Sequence, residues 1–381
     1  MDFDFTAEQQ LVRKTVRDFA EKELAPKALE LDNKRELPKD IIKKAAKMGL
    51  IGVVIPEEYG GSPMGHVARM MSIEEISRAC GSMGLFLQAT PLGLWAILRF
   101  GTEEQKEKYI PPVVSGDKIM CMALTEPTGG SDPLAMETAA KHIGDKYVVN
   151  GRKCFITNGS TADYCVFAAR TGEGPRGLSV FVVEKGTAGF DPGRVERHAG
   201  FAAIDVAELF FSDCIIPEQN LVGDEGQGLS IALTSIFEIG RVGNAAVSLG
   251  IARAAKEAAV RFAKERKLYG RPIADLQAIQ FLLADMDIEI EAAKWLAYHA
   301  AWLLDQGKTS REISKEICRA KAYASEVARR AAINAIQIHG AYGTLPDFHV
   351  IRYLRDALEG VSSAGTNEIM RLIIARELMK D

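Results

Sequence analysis

The segment SSAGTNEIMR, Ser362 to Arg371, places a polar turn before an amphipathic run, with Gly365 and Thr366 at the junction. A threonine there reads as a helix N-cap, and the open N–H groups around it suit a phosphate or a carbonyl oxygen. LTEPTGGSD, Leu124 to Asp132, is a strand end followed by a glycine-rich loop. Gly129 and Gly130 let backbone N–H groups approach a ligand, and Ser131 offers a hydroxyl. In KCFITNG, Phe155 and Thr157 alternate along a strand and share one face, as an aromatic wall and a hydrogen bond for a flat ring would require. ERKLYGRPIADLQAIQF sets Arg266 near a helix end, where an arginine can clamp a phosphate, with Gln277 on the next helix. QIHGAYG ends a helix, with Gln337 in its last turn and Gly340 as the C′ cap. Each stretch taken alone also has an ordinary reading: a turn, core packing, a solvated charge, a cap.

The elements that must position these residues change in texture along the chain. Up to about residue 118 they are helical. FTAEQQLVRKTVRDFAEKEL carries Leu11, Val12, Val16, Phe19 and Ala20 at close to helical spacing. Thr6 is its expected N-cap, with Glu8 and Gln9 nearby, and Pro26 is its expected end. LPKDIIKKAAKMG, MSIEEISRACG and TPLGLWAILRFG follow as further helices. From residue 119 short runs rich in Val, Ile, Phe and Tyr are separated by Gly, Pro, Asn and Asp, the pattern of a β domain. Asn150-Gly151 between apolar runs predicts a hairpin there. From residue 228 long Ala-rich amphipathic segments predict a helical bundle. The expected fold is therefore α+β and multidomain: an N-terminal helical domain over 1–118, a β-barrel-like middle domain over 119–227, and a C-terminal four-helix bundle over 228–381.

Composition narrows the function. The chain has 381 residues, 47% hydrophobic and 26% charged, with a net charge of −4. Nothing in that balance suggests a nucleic-acid or polyanion surface, and neither is expected as a partner. No apolar run approaches the ~18 residues of a membrane span. The acidic start MDFDFTAEQQ reads as neither a signal nor a transit peptide, so a cytoplasmic location is expected. The six cysteines are scattered without a CxxC pair and are expected to be reduced and buried. The histidines show no ligand spacing, so no metal site is expected.

Taken in order, AEQQLVRKTVRDFAEKELAP, IPEEYGG, FGTEEQKEKYIPPVVSG, LTEPTGGSD, CFITNG, ERKLYGRPI, QIHGAYG and GTNEIMR make nearly the whole chain resemble the acyl-CoA dehydrogenase family. The resemblance implies noncovalent FAD, an acyl-CoA substrate, electron-transfer flavoprotein as partner and a homotetramer. It implies that Leu124, Thr125 and Ser131 lie beside the isoalloxazine, with Phe155 against it and Thr157 in contact. Arg266, Gln277, Gln337 and Gly340 match residues that reach the FAD of a neighbouring subunit. Thr366 and Glu368 match the pyrophosphate side, and Arg241 matches the CoA adenine end of the pocket.

One departure is chemical. In the family a carboxylate takes the α-proton of the thioester while the β-hydrogen leaves as hydride. It usually stands directly before Gly-Thr, where this chain has Ala364 preceded by Ser363 and followed by Gly365. A second subgroup carries it directly before the CoA-side arginine, where this chain has Gly240. Ala364 keeps its backbone N–H, the contact to the thioester oxygen. Glu238 is the remaining carboxylate, about 60° from Arg241 on an ideal helix. Members acting on cyclohexenecarboxyl-CoA-type thioesters resemble this chain in lacking the glutamate, and use an aspartate on an N-terminal-domain helix. The matching stretch here, LFLQATPLG, offers Gln88, Thr90 and Pro91 and no carboxylate. Ala202 and Ile204 stand where an arginine and a serine are usual. These departures point to an alicyclic or otherwise bulky thioester. The alternatives are an enoyl-CoA reductase of the same family or an inactive acyl-CoA- or FAD-binding protein.

Overall fold

The computed structural model describes residues 4–380. α1 (Ala7–Phe19) starts at Thr6, whose hydroxyl accepts from the Gln9 N–H while the Gln9 side chain accepts from the Thr6 N–H, a complete capping box. Pro26 does not end the run. The chain passes through a π turn, Ala20–Leu24, and a 3-10 turn, Ala25–Lys27, into α2 (Ala28–Lys34). The proline falls in the first turn of the 3-10 segment, where its missing N–H is not needed. α3 (Lys39–Lys47), α4 (Gly65–Ala79), α5 (Gly81–Ala89), α6 (Pro91–Phe100) and α7 (Glu103–Val114) complete the first helical layer.

α4 is buried on nearly every side, its charged residues included. Glu75 is fully buried and takes Arg13 and Arg17 from α1 at 2.8 and 2.9 Å and Arg78 from its own helix at 3.4 Å. Glu74, beside it, accepts from Tyr298 Oη at 2.6 Å. Arg253, 2.9 Å from Glu75 and also bonded to Glu74, is shared by the two, as is Arg13, 3.8 Å from Glu74. The network joins the N-terminal helices to the C-terminal bundle at one point.

The run Gly81–Phe100 is long and apolar enough to cross a membrane by length and composition, contrary to the sequence expectation, and 89% of its apolar window is buried inside the fold. It is a core pair, broken between α5 and α6 at Thr90.

The middle region is a sheet of eight strands: β1 (Met120–Ala123), β2 (Ala139–Ile143), β3 (Lys146–Thr157), β4 (Tyr164–Arg170), β5 (Leu178–Glu184), β6 (Phe190–Val195), β7 (Val206–Pro217) and β8 (Leu221–Val222). Their order is β6-β7-β3-β2-β4-β5-β8, with β1 parallel to β4. Asn150-Gly151 makes no hairpin. β3 runs straight through it, with a register shift against β7, and the β2–β3 turn falls instead between Ile143 and Lys146. Asn150 is held across the sheet by Asp213, and a Cβ on Gly151 would lie 2.4 Å from Thr138 Oγ1, so the glycine serves a close approach and not a turn. All six cysteines are buried and free.

The last region holds α8 (Gly228–Ser235), a π turn at Ile236–Arg241, α9 (Val242–Glu265), a short β9–β10 hairpin (Lys267–Leu268 and Arg271–Pro272), α10 (Gln277–Asp305), α11 (Ser314–His339), α12 (Val350–Gly360) and α13 (Asn367–Leu378). α4 packs so closely on α9 that a Cβ on Gly250 would lie 2.4 Å from the Glu74 carbonyl oxygen. The Ala202–Ile204 segment is buried and does not face an open cleft. The Gly200 and Phe201 N–H groups donate to Glu359 and Asp356 of α12, both at 2.6 Å, and the Ala203 N–H reaches Ser82.

Candidate active site

The loop between α12 and α13 is the centre of the site. Ala364 adopts the left-handed conformation with φ 54°, and Gly365 follows at φ 96°. An alanine there is uncommon and marks a turn held by its surroundings. Two buried cations hold it. Arg241 Nε donates to the Ala364 oxygen at 3.2 Å. Lys321 Nζ donates to the oxygens of Val361 at 2.9 Å and Gly365 at 2.8 Å, and to Asn367 Oδ1 at 2.8 Å. Asn244 Nδ2 donates to Ser363 Oγ at 2.6 Å. Thr366 caps α13, its hydroxyl accepting from the Ile369 N–H at 3.3 Å, and Glu368 stands exposed in the first turn. The N–H groups of Ala364, Gly365 and Thr366 meet no acceptor among the described residues.

The two positions expected to carry a carboxylate face each other. A Cβ on Gly240 would lie 3.6 Å from the Ala364 Cβ, 3.2 Å from Leu92 and 3.8 Å from Gln88 Nε2. Gln88 Nε2 donates to the Gly240 oxygen at 3.0 Å, so its amide closes this gap. Thr90 and Pro91 do not reach it. Both are buried at the joint of α5 and α6, and the Thr90 hydroxyl accepts from Asn158 Nδ2 at 3.3 Å.

Glu238 and Arg241 depart from their expected places. Glu238 lies in the π turn, where the wider winding changes which residues share a face with Arg241. Both of its oxygens are taken, one by Trp95 Nε1 at 2.8 Å and one by the Ser310 N–H at 3.2 Å. A carboxylate so engaged is a structural acceptor that ties the π turn to α6 and to the segment before α11. Arg241 is 4% exposed and stacks 3.6 Å over the Phe237 ring. Burial lowers its pKa from the ordinary arginine value. It supports the Ala364 turn from beneath and presents no open face to a nucleotide.

The sheet carries the second group of expected site residues. Phe155 sits where β3 slips register against β7, with φ 57° and its side chain 66% exposed. Cys154 and Ile156 on either side are buried, and Thr157 is half-buried on the open side. A buried ion pair that the sequence reading missed joins this strand to the glycine-rich loop. Lys153 Nζ lies 2.7 Å from Glu126 Oε1 and 3.3 Å from the Leu124 oxygen. Glu126 also accepts from the N–H groups of Glu137 at 2.6 Å and Thr138 at 3.0 Å. Burial pulls the Lys153 pKa down to about 8, with Glu126 opposing the fall. The Thr125 oxygen accepts from the Cys154 N–H at 2.9 Å, Leu124 and Thr125 are half-buried, and Ser131 is exposed at the loop tip.

Arg266, Gln277, Gln337 and Gly340 are all exposed, gathered near the β9–β10 hairpin and the end of α11. Arg266 lies 5.7 Å over the Tyr342 ring, and its oxygen accepts from the Ile273 N–H at 2.8 Å. Among the described residues no hydrogen bond or ring contact joins the four to Phe155 or to the 363–366 loop.

FAD fits this arrangement. The uncovered Phe155 ring is a flat apolar surface for the isoalloxazine, and the open N–H groups at the α13 N-terminus suit an oxygen anion. Bound there, FAD supplies a hydride acceptor. Phe155→Ala is expected to cost about 0.5–1.5 kcal/mol of FAD affinity, roughly 2- to 12-fold in Kd. Titration of the apoprotein with FAD measures it.

Models of the acyl-CoA dehydrogenase N-terminal, middle and C-terminal domains match residues 6–117, 121–214 and 226–379. An acyl-CoA dehydrogenase of Bacillus subtilis (strain 168) is 47% identical over 98% of both chains. An acryloyl-CoA reductase (NADH) of Anaerotignum propionicum is 41% identical over 100% of this chain and 96% of its own. A chain solved in a study of the electron transferring flavoprotein of Acidaminococcus fermentans superposes with a TM-score of 0.97 at 42% identity, covering 100% of both chains. The strand with its exposed Phe155, the ion-paired glycine-rich loop and the open α13 N-terminus thus sit in a chain that belongs to the acyl-CoA dehydrogenase family, FAD-dependent oxidoreductases of the CH–CH group.

Proposed function

We propose that this flavoprotein acts on the α and β carbons of an atypical acyl-CoA thioester, of the cyclohexane- or cyclohexene-carboxyl type. The observation that carries this reading is that Gly240 and Ala364 stand close together, a Cβ on Gly240 falling 3.6 Å from the Ala364 Cβ, and neither carries a carboxylate. The acyl group therefore meets an apolar wall where either side would otherwise project a charge. Leu92 and Phe237 are half-buried and supply apolar surface beside that wall, and Gln88 supplies one amide. Ser363, Ala364 and Gly365 border the same space, and Ser131 stands at the loop tip on the flavin side. The thioester oxygen meets the Ala364 N–H.

The second reading is reduction of an enoyl thioester, and the proton chemistry favours it. Neither expected position holds a carboxylate, and Glu238 is occupied. The Ser363 hydroxyl, gripped by Asn244, is the polar hydrogen nearest Ala364 in sequence. A hydroxyl gives a proton readily to an enolate carbon but is a poor base toward a weakly acidic α-carbon.

Electron-transfer flavoprotein is the proposed redox partner, a homotetramer the proposed assembly and the cytoplasm the proposed location. Exposed Phe281, Ile288 and Trp302, with Trp295 between them, repeat at seven-residue steps along α10 and support self-association.

The test mixes the holoprotein anaerobically with butyryl-, isobutyryl-, cyclohexanecarboxyl- and cyclohexenecarboxyl-CoA and follows flavin absorbance. Bleaching by the cyclic thioesters alone is the expected result. If none bleaches, the dithionite-reduced protein is mixed with crotonyl- and cyclohexenecarboxyl-CoA. Reoxidation assigns the reductive direction, and its absence with every thioester leaves a binding protein.

A further inference from the structure

Lys321 has no part in the reactions above, yet it is fully buried and has no carboxylate within ion-pair distance among the described residues. All three of its bonds end on the loop that carries Ala364 or on the first residue of α13. In a trans peptide the C=O and N–H point in opposite directions. Pinning the Gly365 oxygen on Lys321 therefore turns the Thr366 N–H the other way. Pinning the Ala364 oxygen on Arg241 does the same for the Gly365 N–H. The two cations draw the carbonyl ends inward and leave successive N–H groups facing out, beside a left-handed residue, as in an anion-binding nest.

We propose that Lys321 is a positioning residue: its ammonium, bridging Val361, Gly365 and Asn367, turns the Thr366 N–H outward beside the Gly365 N–H that Arg241 turns, so that the pair faces an oxygen anion, either the thioester enolate or a phosphate of FAD. The inference rests on the reading of the site as a thioester site. The ammonium is needed as such, since three acceptors require three N–H donors. Burial, with the Arg241 charge next in size, lowers the Lys321 pKa to about 7. The other groups acting on it are Glu368 of α13 and Cys318 and Glu326 of α11. Above that pH a neutral amine has only two hydrogens for three acceptors, and the loop loses a tether.

The experiment compares holoprotein affinities for acetoacetyl-CoA, which ionises to an enolate, and butyryl-CoA, which does not, in wild type, Lys321→Met and Lys321→Arg. FAD retention is measured on the same samples. Lys321→Met is expected to lower the acetoacetyl-to-butyryl affinity ratio at least tenfold at pH 6.5, and Lys321→Arg to restore most of it. The wild-type ratio should fall as pH rises through about 7 relative to Lys321→Arg, whose charge persists. A selective loss of acetoacetyl-CoA affinity places the anion on the thioester, and a selective loss of FAD places it on the phosphate. Equal weakening of both thioesters with FAD retained, or the same pH step in Lys321→Arg, overturns the proposal. Should Lys321→Met not fold, the wild-type and Lys321→Arg pH series decide alone. Failure of wild type to bind either thioester would instead count against the proposed function.

Discussion

Ala364→Glu is expected to raise α-proton exchange of a bound saturated acyl-CoA by about 10²–10⁴-fold, the usual contribution of a positioned general base. The turn already holds a residue with a Cβ at φ 54°, so the longer side chain adds no new backbone class. Facing it, Gly240 has no side chain to compete with the new carboxylate. Arg241, on the Ala364 oxygen, favours the ionised form that a base requires. Ala364→Gln has the same size and no basic oxygen, and should leave exchange at the wild-type level. Gly240→Glu should be the poorer rescue, because Leu92 lies 3.2 Å from its Cβ position. Deuterium uptake from D2O at the α-carbon of butyryl- and cyclohexanecarboxyl-CoA, read by mass spectrometry, separates these outcomes without turnover. Unchanged uptake with every thioester that the wild type binds would mean that the acyl group is held elsewhere.

The largest effect on stability is expected from Glu75→Gln, a loss of about 3–5 kcal/mol. Glu75 is fully buried among Arg13, Arg17, Arg78 and Arg253. Burial works against its charge, but the Arg17, Arg253 and Arg13 contacts prevail and hold its pKa far below the ordinary carboxylate range. Removing the charge leaves partly buried guanidinium groups facing one another. The sign of the pH dependence follows. A carboxylate depressed in the folded state contributes stability that is fully present above the unfolded value of about 4.3 and is lost as pH falls below it. Urea unfolding of wild type at pH 7 and pH 3 should show that loss, and Glu75→Gln should be weaker at pH 7 with a smaller fall toward pH 3. Glu57→Gln, on an exposed turn, is the control. Equal midpoints for the two variants at pH 7 would show that the network is only geometric.

Much of this protein is legible in one dimension. Thr6 and Thr366 read as caps because the N–H groups they satisfy lie within three residues of them. The succession of helices, strands and helices follows from apolar period and turn residues, both local properties. The candidate site stretches also announce themselves, since a glycine-rich loop, an aromatic and a hydroxyl alternating along a strand and a capped helix start each carry a composition of their own. Ala364 could be singled out because it sits inside such a stretch.

What the sequence could not decide depends on neighbours far along the chain. Asn150-Gly151 has the composition of a hairpin, but Asp213 and Thr138 hold it inside a strand. Glu238 and Arg241 read as ligand contacts on an ideal helix, yet a π turn redirects them toward Trp95, Ser310 and the Ala364 oxygen. Lys153 and Lys321 look like solvated charges in their own segments. Only packing turns them inward, one onto Glu126 and the other onto three oxygens of a distant loop. Periodicity and capping are settled by bonds spanning a few residues, so the sequence alone determined the elements and the family. The meeting of Gly240 with Ala364, and the cations that shape the turn between them, required more than a hundred residues of chain to fold back on themselves, and only the tertiary structure decided it.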